Sequence, residues 1–169
     1  IIDRLGTEGS KDGVWIYPIE YQKAMDRLKQ AKGDTVIRLI VAANLVKGDP
    51  VLTELEMHPN RVVYQENEFV YQKIYNVPID GSNSEMLISD FLRNVNMTAI
   101  NNGILPNPLT GTVGVINGNQ IYAIEKALAE NRGKDVLISA FASADTEVLG
   151  PLRLHIYLKN ETEQEINHE

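Results

Sequence analysis

The chain has no cysteine. That removes disulfides, thiolate metal sites and a cysteine nucleophile at once, and the absence leans toward an exported or virion-associated protein. It has no basic excess either: 16 Lys and Arg stand against 23 Asp and Glu, a formal charge of -7. A nucleic-acid binder needs a cationic stripe that displaces phosphate counterions, so nucleic acid is not an expected partner. Long apolar runs are also missing. The longest, Leu39–Val46 and Val136–Ala144, have eight and nine residues, whereas a membrane helix needs about 20. No span is expected.

Metal and catalytic patterns are equally scarce. The histidines at 58, 155 and 168 fall in no HExxH and at no ligand spacing, so no metal or cofactor is expected. Ser82, Ser84, Ser139 and Ser143 lie in neither GxSxG nor SxxK, and no catalytic residue is assigned. An acid–base pair of His155 with Asp145 or Glu147 would need a hairpin that brings them together, and an acid in a turn is ordinarily just solvated.

What is present is the composition of a globular domain. At 169 residues, 43% hydrophobic and 23% charged, the chain can bury roughly 70% of its unfolded surface in one core. One domain is expected over residues 1–160, with an acidic tail at 161–169 that frays. The opening Ile-Ile-Asp, with no Met, reads as a processed or trimmed start.

Apolar spacings of three and four predict helices over 20–32, 83–102 and 120–132. Ser82 and Glu85 have capping-box spacing at the second helix, with Ser84 as the other candidate cap. Gly33, Gly103 and Gly133 are placed to end the three helices. Between them, β-branched and aromatic runs predict strands over 14–17, 35–46, 51–57, 62–65, 69–77, 112–116, 136–143 and 152–159. In the last strand Leu152, Leu154, Ile156 and Leu158 alternate with Arg153, His155, Tyr157 and Lys159, the pattern of a sheet with one wet face. Val36–Ala43 and Val136–Ala142 are more continuously apolar, which predicts central strands covered on both faces.

This order predicts an α+β fold, with an antiparallel or mixed sheet packed on two to three helices. An offset of 100 aligns Ile16 with Ile116, Leu28 with Leu128, Gly33 with Gly133, Val36 with Val136 and Leu52 with Leu152. Two βαββ halves around a central insert, in a ferredoxin-like arrangement with both helices on one sheet, would produce that pattern.

One feature stands out. From Asn94 to Ile124 there are thirty-one consecutive residues without Asp, Glu, Lys or Arg. Seven Asn, four Gly and two Pro interrupt the stretch, so it is no membrane segment. Interface cores are depleted in charge because ionised groups are costly to dehydrate. The segment is therefore read as a protein contact, to self or to another subunit, with Ile104, Leu105, Pro106 and Leu109 as anchors. The competing reading is ordinary interior. Together these features suggest a non-enzymatic structural or interaction module, a subunit of a larger assembly of the virion or secretion-apparatus type. The alternative is a small-molecule or anion-binding protein, or an enzyme, that uses the strand-to-helix turn Asn117, Gly118 and Asn119. Free amides at a helix start can hold an anion.

Overall fold

A computed structural model describes residues 14–42 and 51–160. The expected 161–169 tail lies outside the described residues. The chain is α+β. Its contacts group it into two compact units, Ile1–Arg61 and Val62–Glu169.

The first unit runs β1 (Val14–Ile16), α1 (Pro18–Gln30), β2 (Thr35–Val41) and β3 (Val51–Pro59). Pro18 opens α1, where its missing N–H costs nothing. The sheet order is β1-β3-β2, with β1 parallel and β2 antiparallel to β3. Gly33 is not among the glycines of positive φ, so α1 ends without the left-handed stop expected there. Ala31 leaves the helix in extended conformation instead.

The second unit runs β4 (Val62–Tyr64), β5 (Phe69–Asn76), α2 (Ser84–Asn101), β6 (Gly114–Val115), α3 (Gly118–Glu130), β7 (Asp135–Ala142), β8 (Thr146–Glu147) and β9 (Leu152–Asn160). Its main sheet has the order β5-β7-β9-β6, and β4 pairs with β8. Within it, β6, α3, β7 and β9 repeat the first unit's plan: β6 runs parallel to β9, and β7 antiparallel to it. Both βαββ patterns therefore form, with the same strand order and the same senses. Their helices do not share one sheet as a ferredoxin-like arrangement requires. The outer edge of β7 is taken by β5, from Phe69↔Phe141 to Asn76↔Asp135, so the central insert completes the second sheet.

Strand β9 alternates as predicted, with Leu152 and Leu154 buried and Arg153, His155, Tyr157 and Lys159 exposed. Val136, Ile138, Ala140 and Ala142 of β7 are fully buried. Onto that face α2 packs Ile88, Phe91, Val95 and Ala99, and α3 packs Ile124 and Leu128. The Phe91 ring meets Tyr71 and Tyr75 at centroid distances of 5.7 and 6.4 Å. Gly133, at φ 73°, turns the chain from α3 into β7, and a Cβ there would stand 2.9 Å from Ile79 Cγ1. Glycine is needed at that turn on both counts.

The expected capping box of Ser82 and Glu85 does not form. Asn83, at φ 67°, is the N-cap of α2 without a side-chain bond. The Ser82 N–H goes instead to Asp80 Oδ1, and Ser84 Oγ donates to the Gly81 carbonyl. Strand β2 also departs from expectation. Among the described residues it pairs with β3 alone, and Ile37, Leu39, Ile40 and Val41 are exposed.

Beside the core, Asp90 on α2 accepts from Lys73 Nζ at 2.7 Å, Tyr75 OH at 2.8 Å and Arg93 Nη2 at 2.8 Å. These three donors, Lys73 foremost, hold its carboxyl well below the usual carboxylate range. Burial, and then the Asp90 carboxylate, push the Tyr75 hydroxyl upward. A carboxyl depressed in the folded state adds stability above its unfolded value of about 4 and loses it as the pH falls through the folded value. Asp90→Asn is therefore expected to melt at lower temperature than the parent near pH 7. The gap should close as the pH is taken below about 4. A gap that stays constant down to about pH 2 would show that the charge is not what Asp90 contributes.

Candidate partner-contact site

The charge-free stretch folds into three parts: the end of α2, a loop over 103–113, and β6 with the start of α3. The loop is closed by its own asparagine, Asn107. Asn107 donates its N–H to the Thr112 carbonyl and accepts from Gly111 N–H, both at 2.8 Å. Its side-chain Oδ1 accepts from Leu109 N–H at 2.9 Å and Thr110 N–H at 3.3 Å. The Thr110 and Thr112 hydroxyls meet at 2.8 Å. Gly111 completes the turn at φ 69°. Pro106 and Pro108 fix φ on either side of Asn107.

Two outside groups pin the loop to the body of the unit. Asn96 on α2 accepts from Val113 N–H at 2.8 Å and donates to the Gly111 carbonyl at 3.2 Å. The Val148 carbonyl accepts from Leu105 N–H at 2.8 Å. At the loop's root, Asn102 donates to the Tyr64 hydroxyl at 2.7 Å. Burial raises that hydroxyl's pKa above its ordinary value.

The four expected anchors separate. Ile104 is 1% exposed and belongs to the core. It cannot touch a partner, because its side chain completes the packing beneath the loop. Leu105 and Pro106 are half-buried. Leu109 is 94% exposed at the tip. Beside the loop, Leu92, Val95, Asn96, Thr112, Val113 and Leu152 help to line an open cavity of about 160 Å3 with no ionisable side chain in its wall.

At the turn into α3, Asn117 caps its own helix. Its side chain accepts from Gln120 N–H at 2.9 Å, while Gln120 Oε1 accepts from Asn117 N–H at 3.1 Å. Gln120 Nε2 further donates to the Leu154 carbonyl at 2.8 Å. The Asn117 amide thus stands where an anion would bind, and Gly118 and Asn119 are exposed on the first turn.

The remaining chemical candidates have partners of their own. Asp145 Oδ1 accepts from Glu66 N–H at 2.8 Å, and the His155 ring lies 6.5 Å from that of Tyr157. Among the described residues, no group of three or more His, Asp and Glu is placed to hold a metal, and no helix is long and apolar enough to cross a membrane. The part that sequence reading missed is the clamp: Asn96 and Asn107 order the loop. Asn107 before Pro108 was its one visible signal, since Asn there favours a side-chain-closed turn. Comparison with protein-family models, curated proteins and solved structures finds no match for this chain.

Proposed function

We propose that the protein is a non-enzymatic interaction module, a subunit of a larger assembly, that meets its partner through the tip of the 103–113 loop. One observation carries this reading. Leu109 is 94% exposed on a loop closed by its own hydrogen bonds. Exposed leucines are common, but an aliphatic side chain held outward by an ordered, uncharged loop loses little entropy on binding. Its burial by a partner is then nearly all gain, and no charge near it in sequence has to be dehydrated. Reading the 117–119 turn as an anion site has less support, since the Asn117 side chain takes the Gln120 N–H that an anion would use.

The test is a photoreactive benzophenone side chain at position 109, with position 79 as control, because Ile79 is also highly exposed. In extracts of the source cells, a discrete adduct is expected from 109 and not from 79. Unlabelled parent chain should suppress it. The Leu109→Asp chain should be weaker as competitor by about 30-fold or more, the loss of a central anchor worth about 2 kcal/mol. Equal labelling from both positions, or equal suppression by both competitors, would remove Leu109 from the contact.

A further inference from the structure

We propose that the edge of β2 that faces away from β3 pairs, antiparallel and about a two-fold axis through Leu39, with β2 of a second copy of this chain. Three observations lead there. Strand β2, Thr-Val-Ile-Arg-Leu-Ile-Val, has the composition of a strand covered on both sides, yet among the described residues only β3 pairs with it. Its counterpart β7 has the same position and sense in the second βαββ pattern, and there an antiparallel strand, β5, lies on that edge. The repeat thus contains both the open edge and an example of what fills it. Finally, Ile37, Leu39, Ile40 and Val41 are all exposed. Natural edge strands are kept short or carry Lys, Pro or a bulge that blocks pairing. Here seven residues run on with Arg38 as their one charge and an unbroken register against β3.

The strand itself points to a second copy as the occupant. In the register that pairs Leu39 with Leu39, Ile37 lies opposite Val41 of the second copy. Residues of one parity share a sheet face, so the exposed Ile37, Leu39 and Val41 of both copies form one aliphatic patch. Arg38 falls opposite Ile40 rather than another Arg38. For a chain of net charge -7, most surfaces bring like charges together when two copies meet, and this edge does not.

The test uses the full chain, whose lack of cysteine gives a clean background. Paired residues of antiparallel strands have Cα atoms about 4.5–5.5 Å apart, within disulfide range. Leu39→Cys is expected to oxidise to a covalent dimer. Ile37→Cys and Val41→Cys should link to each other when mixed but scarcely to themselves, since each would lie about 14 Å from its own copy. Leu39→Lys should convert the dimer seen by light scattering to monomer with an unchanged melt. The cysteine set still decides should that variant not fold. Equal linking at all three positions, or none at 39, overturns the proposal. So does a dimer that survives Leu39→Lys but dissociates with Leu109→Asp, a result that leaves the loop contact standing and removes the edge.

Discussion

Phe91→Ala is expected to cost the second unit about 3–5 kcal/mol, the range for deleting a buried aromatic ring. Phe91 is 1% exposed and carries the aromatic contact of α2 with β5, to Tyr71 and Tyr75. Truncation removes the transfer free energy of the ring and leaves a void that two tyrosines bordering other packed side chains cannot close. Total stabilities of domains lie at about 5–15 kcal/mol, so the loss is a large share of the whole. In urea the midpoint should fall by roughly 2 M, given slopes of about 1–3 kcal/mol per molar. A shift corresponding to less than about 1 kcal/mol would mean that α2 is not held to the sheet by this ring.

The second large effect comes from making one substitution at two sites of one loop. Ile104→Asp places a carboxylate among the apolar side chains of the core, at a position 1% exposed. The group must either be dehydrated or take up a proton, and a cost of several kcal/mol is expected. The variant should be largely unfolded, or stable only at acid pH. Leu109→Asp, five residues on, puts the same group into water and should leave stability within about 0.5 kcal/mol of the parent. Circular-dichroism melts of the two variants separate interior from surface within the charge-free stretch. Two variants that behaved alike would contradict the division of the loop described above.

Much of the fold was legible because it is written in local periodicity. All three helices lie within two residues of their expected limits, and the alternation along β9 was readable residue by residue. The short strand β8, Thr146–Glu147, was missed, since two residues carry no period. The capping box at Ser82 failed because Asp80 and Gly81 offer their own partners to the Ser82 and Ser84 groups. Sequence could mark 94–124 as unusual. It could not tell Ile104 from Leu109, because both are aliphatic residues of the same uncharged Gly-, Pro- and Asn-containing segment, and the hydrogen bonds of Asn96 and Asn107 that shape the loop have no period to read. The largely apolar pattern of Val36–Val41, with Arg38 as its one charge, misled for a different reason. It reports how a strand is composed to be covered, while the cover itself need not lie in the same chain.

Trp15 is the chain's single tryptophan, 44% exposed and edge-on to Tyr17 at 4.7 Å. It belongs to the first unit, and the second has none. Indole emission therefore reports on the surroundings of Trp15, in the first unit. Far-ultraviolet dichroism, dominated by the longer second unit, follows the other. Measured together, the two optical signals distinguish a protein that comes apart as one cooperative body from one whose halves melt in turn.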